Sequence, residues 1–417
     1  MTTPGDRHSV ARAIVFLAFV TALIPMMVTD AVGLNMDVIP SIRLEEGWHS
    51  NVFNTSTDEV ASFGTRVTPA VALRFTSPDN VMLNVSADYE RIWYHKAEAK
   101  DADYDTWNFR INSTGAWMLT PTMTMTPSVY YINTTDSSRR SQQVPSGDPV
   151  LPPVTITNYG TTNTEDLGAG VNIDYLVTPN VTIGVNGNYS ERRFSDVTDN
   201  TAGSGLTNSK AIGGNVSVSY LFSPRTRLGI LVAGNHQTYD NAPDSNTLSG
   251  GFLFGYQLSP GFHLDGVFGM SYIRQSEAPG VPEQTKSSPS GIFNITYVRE
   301  TFTARAFGSY VYSGGSGFGE ATRQKTTGLI FTNQFTREWS GSLSGTYQIS
   351  QSVFSSESVD IATMYATAEL RYQFLEWASM GLTGNMSRQT SDGQFGQPLD
   401  NYSALLGVTI RKAYKIY

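Results

Sequence analysis

Two-residue alternation of apolar and polar side chains constrains this chain more than any other feature of its sequence. In the stretch 180–190, Val181, Ile183 and Val185 share one parity, while polar residues and glycines occupy the other. Because successive side chains of a β-strand point to opposite faces, the stretch predicts a strand with one apolar and one polar face. The same pattern recurs at 166–177, 213–222, 340–349 and 367–374.

Short turns and longer polar loops alternate between these stretches. Five short turns contain a Ser-Pro or Thr-Pro pair, at 76–79, 119–122, 177–180, 222–225 and 258–261, and three lack it, at 298–301, 336–339 and 375–377. The longer loops fall near 50–58, 96–103, 133–163, 195–208, 239–246, 276–287, 313–321, 351–358 and 391–400. Eight turns and nine loops connect eighteen strands, with sixteen strands as the alternative. Short turns at one end and long loops at the other are typical of outer-membrane barrels.

Strand length and composition favour the membrane over water. Many of the predicted strands exceed the roughly 5 to 6 residues usual in soluble sheets. Only 15% of the residues are charged, against roughly 25% in an average soluble domain. We therefore predict an all-β fold, a transmembrane antiparallel up-and-down barrel of about 18 strands in the bacterial outer membrane. A soluble sandwich or propeller is the alternative.

The N-terminal segment has the features of an export signal. Arg7 and Arg12 precede an apolar run from Ala13 to Val28, and Thr29-Asp30-Ala31 forms a small-x-small cleavage site. An uncleaved membrane anchor is the alternative, but Pro25 interrupts a run that is already short for a span. We predict a cleaved signal peptide at 1–31 and a single barrel domain at 32–417.

The polar parity of the predicted strands would face the barrel interior. A barrel of this strand number is wide enough to hold an aqueous channel. Arginines near the short-turn end could form a ring that attracts anions, or could pair with carboxylates across a wet lumen. The residues predicted to line the pore are Arg43, Arg74, Asp88, Glu90, Arg110, Asp174, Arg227, Asp265, Arg305, Glu369, Arg371 and Arg411.

The loop at 133–163 is the longest and contains Arg139, Arg140 and Asp148. It is the third loop on its side, and in general porins the third loop folds inward to narrow the pore. By position, these three residues are candidates for a constriction. A solvated surface loop is the alternative interpretation.

The sequence offers little for catalysis, cofactors or metals. The chain has no cysteine, which excludes disulfides, thiolate metal sites and a Cys nucleophile. Asp101, Asp103 and Asp105 have the spacing of a calcium loop, but Thr106 replaces the required Gly. The net charge of -8 does not indicate a positively charged surface that would bind nucleic acid. We expect a non-enzymatic protein with no cofactor and no metal site.

The segment 38–73 resembles the opening hairpin of the β-barrel porin type 2 family and related exopolysaccharide-associated outer-membrane proteins. In that family an acidic-aromatic-Asn-Val/Ile-Phe stretch precedes a strand with a central Pro. The matching residues here are Glu45, Glu46, Trp48, Asn51, Val52, Phe53 and Pro69. The resemblance implies an eighteen-stranded channel that works with periplasmic polysaccharide-export proteins.

Three functions are consistent with these observations. The leading one is an outer-membrane channel for passive passage of hydrophilic cargo, with exopolysaccharide as the expected cargo. The second is a general or anion-preferring porin for small solutes. The third is a barrel sheath around a multihaem cytochrome, whose haems the partner would supply. Outer-membrane lipid is an expected partner of all three.

Overall fold

In a computed structural model the described residues are 35–76, 82–113, 117–134, 162–195, 206–277, 282–313, 318–319, 321–354, 359–393 and 398–416. The predicted signal peptide at 1–31 lies outside them. The strands are β1 Asn35–His49, β2 Ser62–Thr76, β3 Met82–Tyr94, β4 Tyr104–Ser113, β5 Trp117–Thr120, β6 Met123–Thr134, β7 Asn163–Thr178, β8 Val181–Ser195, β9 Ser209–Ser223, β10 Thr226–Tyr239, β11 Ser245–Ser259, β12 Phe262–Gln275, β13 Gln284–Val298, β14 Phe302–Ser313, β15 Thr322–Gln334, β16 Trp339–Ser352, β17 Asp360–Leu375, β18 Ala378–Ser391, β19 Leu399–Arg411 and β20 Tyr414–Lys415. A 3₁₀ turn, Ala97–Ala102, lies between β3 and β4.

All strands belong to one antiparallel sheet that closes on itself. Apart from β4 and β19, each strand pairs with the next in sequence, and β1 also pairs with β19, from Ser41 opposite Arg411 to His49 opposite Ser403. Both β4 and β5 pair with β6, so they are two parts of one wall strand. Both β19 and β20 pair with β1. The twenty segments therefore form an 18-stranded closed barrel, which confirms the predicted fold class.

The last strand is interrupted opposite a proline. Lys412 N–H donates to Pro40 O, but Pro40 has no N–H to return the bond. Pairing resumes in the same register where Tyr414 lies opposite Val38. The charged stretch after Arg411, where the apolar alternation stops, is thus still part of the barrel wall.

Strands extend further toward the long loops than alternation predicts. The sequence assigns residues 276–287 to a loop, but β13 begins at Gln284, which pairs with Gln275 of β12. Beyond the apolar zone neither face of the strand meets lipid, so the sequence no longer alternates there. The alternating pattern therefore stops several residues before the strand itself does. Within the described ranges, no helix is long and apolar enough to cross a bilayer.

The outward face of the barrel carries an apolar zone between two aromatic girdles. In β12 the outward residues from Phe262 to Tyr272 cover a height of about 25 Å at usual rise and tilt, which matches the apolar band of membrane barrels. The girdle near the short turns comprises Tyr175, Tyr220, Tyr256, Tyr297, Trp339 and Tyr372. The girdle near the long loops comprises Tyr89, Trp107, Tyr131, Tyr189, Tyr272, Tyr310, Tyr347 and Tyr402.

Solvent exposure of large apolar side chains agrees with this zone. Phe252 is 75% exposed and Ile230 is 54% exposed, and both lie on the outward face midway along their strands. A soluble protein seldom exposes a continuous apolar belt of this size, because water contact with it is unfavourable. The belt is a lipid-facing surface, and the protein is a bacterial outer-membrane barrel.

Candidate functional site in the barrel interior

The twelve residues predicted to line the pore lie on the inward face of the wall. Two residues that lie opposite each other on neighbouring strands share a face. The strand register can therefore be followed around the barrel to assign each of the twelve residues to the inward face. Asp88 lies opposite Asn108, Arg227 opposite Gly255, and Glu369 opposite Ser342. Their placement follows from the register, whereas their role in lining a conducting pore stays a prediction.

Some inward arginines near the short turns pair with carboxylates. Arg371 Nη2 lies 2.9 Å from Glu369 Oε1, and Arg227 Nη2 lies 3.8 Å from Asp265 Oδ1. Arg305 instead donates to Asn294 Oδ1 over 2.7 Å. These contacts agree with the interpretation of ordinary charge pairing in a wet lumen.

Two further inward arginines near the short turns differ from these in their contacts. No ion pair of the described residues includes Arg74 or Arg411. Arg74 lies opposite Asn84 and its Nε is buried without a hydrogen-bond partner, while Arg411 is exposed at the end of β19. The interior therefore combines guanidinium groups that pair with a carboxylate and guanidinium groups that have no ion pair among the described residues. The predicted attraction of anions by the arginines stays a prediction.

Inward cations outnumber inward carboxylates in the described strands, although the whole chain has a net charge of -8. The inward cations are Arg43, Arg66, Arg74, Arg110, Arg192, Arg227, Lys286, Arg305, Arg371, Arg411 and Lys415. The inward carboxylates are Asp37, Glu45, Asp88, Glu90, Asp166, Asp174, Asp265 and Glu369. The acidic excess of the protein thus lies outside the inward strand surface.

A buried charged network on β1, β2 and β3 joins the predicted residues Arg43 and Glu90 through Glu45 and Arg66, which were not among the predicted site residues. Glu45 Oε2 accepts one hydrogen bond from Arg66 Nη1 at 3.2 Å, and Glu45 Oε1 lies 2.6 Å from Arg43 Nη2. Glu90 extends the network, with Oε2 at 3.9 Å from Arg66 Nε. Parity alone could have found Glu45, because it lies two positions from Arg43 on the same strand face.

A second buried pair lies further around the same half of the wall. Arg192 Nε donates to Asp166 Oδ1 over 3.0 Å, and both side chains are almost fully buried. Asp166 begins the alternating segment 166–177, in which the sequence analysis identified Asp174 as inward. Extending that parity to Asp166 would have included it.

Apolar side chains pack inside the barrel at its long-loop end. Val52, from the loop after β1, and Ala99, from the 3₁₀ turn, form a buried cluster with Ile92 and Tyr94 of β3. Ile92 is on the inward face, opposite Arg66. The first two long loops therefore fold over the lumen and cover part of its mouth.

A second apolar cluster extends across the mouth. Phe318, from the loop between β14 and β15, packs with Ile361 of β17, and Phe194 of β8 packs against the same cluster. β8 and β17 are half the circumference apart in the strand order. The neighbouring Gly319 has φ +65°, and a Cβ there would lie 2.6 Å from Ala242 Cβ and 2.8 Å from Thr207 Cγ2.

The two ends of the barrel thus differ. At the short-turn end, inward side chains such as Arg371, Gln373 and Arg411 remain exposed to solvent. At the long-loop end, described loops narrow the passage. The predicted constriction residues Arg139, Arg140 and Asp148 lie outside the described residues, so their role stays a prediction. Sequence reasoning did not identify Phe318, because one apolar residue in a Gly-rich loop carries no periodic signal.

The acidic residues with calcium-loop spacing have other contacts. Asp103 Oδ1 accepts the Tyr94 N–H at 2.7 Å, and Asp105 Oδ1 accepts from Arg91 at 2.8 Å and from the Tyr89 hydroxyl at 2.7 Å. The part of the chain that the structure describes contains no group of three or more residues able to hold a metal ion.

Comparisons with known proteins give matches only among solved structures. No protein-family model matches the chain, and no curated protein matches it. The chain is similar to OpdK from Pseudomonas aeruginosa, crystallised with vanillate, at 11% identity and TM-score 0.42, covering 90% of this chain and 99% of OpdK. It is also similar to OccAB1 from Acinetobacter baumannii, at 12% identity and TM-score 0.43, covering 93% of this chain and 99% of OccAB1. The unliganded ferric citrate transporter FecA is similar at 10% identity and TM-score 0.43, and the match covers 91% of this chain and 64% of FecA.

Proposed function

We propose that the protein is a passive, anion-preferring channel for small hydrophilic solutes. The observation that carries this proposal is the inward face, which carries charged and polar side chains on strands throughout the wall and has more cations than carboxylates. A hydrated interior of this kind allows polar solutes to leave bulk water without losing all their hydrogen bonds. Rings of Arg or Lys favour anions in pores.

The apolar clusters at the long-loop end favour small solutes over a polymer. Exopolysaccharide export and a sheath around a multihaem cytochrome both require a wide, continuous bore. The contact network of Phe194, Phe318 and Ile361 crosses that bore. Export with periplasmic partner proteins is therefore the weaker proposal, and the exopolysaccharide-associated family resemblance has no matching family model behind it.

Reconstitution tests this function directly. Purified protein in planar bilayers should give ion conductance, and the reversal potential in a KCl gradient should show preference for chloride. Proteoliposomes should swell in small sugars and exclude polysaccharides. Absence of conductance in the purified protein, or rapid passage of a polysaccharide, would contradict the proposal. Cation preference would contradict its anionic part.

A further inference from the structure

A hydroxyl, an imidazole and a carboxylate converge on the outer surface of β1, β2 and β3. Thr65 Oγ1 lies 2.8 Å from His95 Nε2, and His95 Nδ1 lies 3.5 Å from Glu46 Oε1. Thr65 Oγ1 also lies 2.6 Å from Glu46 Oε2. A hydroxyl next to a base, with a third group beside the base, is the arrangement of an activated nucleophile. The three residues come from separate strands, so no short sequence motif contains them.

These three side chains belong to the outward face and are accessible. Glu46 lies opposite Leu406, and Thr65 lies opposite Trp93, and both of these neighbours are exposed on the outer surface. The Glu46 and His95 side chains are 50% and 51% exposed. The cluster therefore faces the surroundings of the barrel and not its lumen.

The cluster lies where the apolar belt ends toward the long loops. On β1 the outward row passes from Leu44, which is 53% exposed, to Glu46. The exposed aromatic residues next to the cluster are Trp48, Phe63 and Trp93. Tryptophan is typical of the headgroup level, where the ester bonds of lipids also lie. The long-loop end of such barrels faces the cell exterior, so the adjoining lipids are those of the outer leaflet.

A cation lies beside the cluster on the same face. Arg91 is diagonal to Thr65 in the β2–β3 ladder, and diagonal neighbours are roughly 7–8 Å apart. Arg91 Nη1 lies 2.8 Å from Asp105 Oδ1, and 30% of the Arg91 side chain is exposed. A guanidinium group has five N–H donors, so Arg91 can also contact an ester oxygen that becomes negative during nucleophilic attack.

We propose that Thr65 and His95 are catalytic residues that hydrolyse acyl esters of outer-leaflet lipids, with Glu46 as a positioning residue. Thr65 Oγ1 bonds to the ester carbonyl carbon while its proton passes to His95 Nε2. The ester C–O bond breaks, and the alcohol leaves with that proton. Water then attacks the acyl-threonine by the same route, which releases a fatty acid and restores the hydroxyl. This activity is separate from conduction and adds a function to a chain whose sequence predicts a non-enzymatic protein.

The mechanism requires a neutral imidazole. Thr65 has one hydroxyl proton, and donating it to His95 Nε2 instead of Glu46 Oε2 is possible only when that nitrogen carries no proton. The rate should therefore rise with pH across the range in which histidine loses its proton. Charged groups on this surface are Glu46, Arg91 with its partner Asp105, and Lys96 with its partner Glu98.

Fatty acid release by the purified barrel in mild detergent tests this site. Diphosphoryl lipid A and phosphatidylethanolamine are supplied separately, and mass spectrometry measures the free acid. Wild type should hydrolyse at least one of them, which identifies the source of the ester. T65V and H95N should each lower the rate at least about a hundredfold, while T65S keeps the hydroxyl and should stay active.

Two further variants separate catalysis from structure. E46Q should lower the rate and move its rise to lower pH, because the carboxylate favours the protonated imidazole. H236N is the matched control, since His236 is also outward and exposed but has its Nδ1 2.8 Å from Asn246 Oδ1, an amide oxygen. Its rate should equal that of wild type.

Four results would overturn the assignment. They are no release from either lipid by folded wild type, a wild-type rate in T65V, a wild-type rate in H95N, and a rate that does not change with pH. Heat-modifiable gel mobility reports whether each variant forms a barrel, and H95N decides alone if T65V does not fold. Conductance without fatty acid release would reject the hydrolase and leave the channel proposal intact.

Discussion

Arg66 Nη1 donates to Glu45 Oε2 over 3.2 Å across the β1–β2 pair, with only 5% and 3% of the two side chains exposed. A buried ion pair is destabilising to break, because the remaining charge keeps its desolvation penalty without its partner. Glu46, the adjacent residue, points outward and is half exposed. Two neighbouring glutamates thus offer a matched comparison of a buried and an exposed carboxylate.

Glu45→Gln should reduce the free energy of unfolding by about 3 kcal/mol, since it leaves Arg66 buried with less counter-charge. Guanidinium unfolding of the barrel in lipid vesicles measures this change. Glu46→Gln is the control and should change stability by less than about 1 kcal/mol. Equal effects of the two substitutions would contradict the buried network.

Gly319→Ala should open the long-loop mouth. The added Cβ would lie 2.6 Å from Ala242 Cβ, and φ of +65° is unfavourable for alanine by about 1 kcal/mol or more. We expect the loop to move away from its contacts and the open fraction to rise roughly fivefold, which single-channel recording measures. Gly384→Ala is the control, because a Cβ there has nothing within 4 Å. An unchanged open fraction in Gly319→Ala would argue against closure by this loop.

Removing exposed inward arginines should reduce anion preference. In the double variant R371Q/R411Q, the reversal potential in a KCl gradient should shift toward zero, because two positive charges are lost near the short-turn entrance. Arg388→Gln changes an outward arginine and should leave selectivity unchanged. A selectivity that falls equally in both variants would indicate that net charge, and not the inward position, controls it.

A charge in the apolar belt should be poorly tolerated. Phe252→Arg places a cation on the lipid face midway along β11 and should destabilise the folded barrel by about 2–4 kcal/mol in vesicles. Asn246→Arg lies on the same face and strand, but beyond the apolar zone, and should have an effect below about 1 kcal/mol. Folding titrations in vesicles give both values, and a reversed order would contradict the position of the belt.

Much of the wall was predictable from sequence because alternation reports directly on which face meets lipid. Tyr372 and Leu370 point outward and Arg371 inward, as their parity indicates. Contacts across the lumen were not predictable. Phe194, Phe318 and Ile361 come from distant parts of the chain, and their packing depends on where closed-barrel geometry brings loop ends together. Glu45 and Arg66 follow the inward parity, but their burial was not predictable, because alternation indicates which face a side chain is on and not whether it is buried.

The central claim is that the closed wall separates lipid outside from water inside, and single-cysteine accessibility tests it most directly. The chain has no cysteine, so each introduced thiol is unique. Leu382 and Thr383 are adjacent on β18, where Leu382 pairs with outward Leu406 and Thr383 with inward Leu405. In vesicles, Thr383→Cys should react with a charged, water-soluble methanethiosulfonate reagent and the modification should lower channel conductance, while Leu382→Cys should stay unmodified. Modification of Leu382→Cys with protection of Thr383→Cys would contradict the assignment of the two faces.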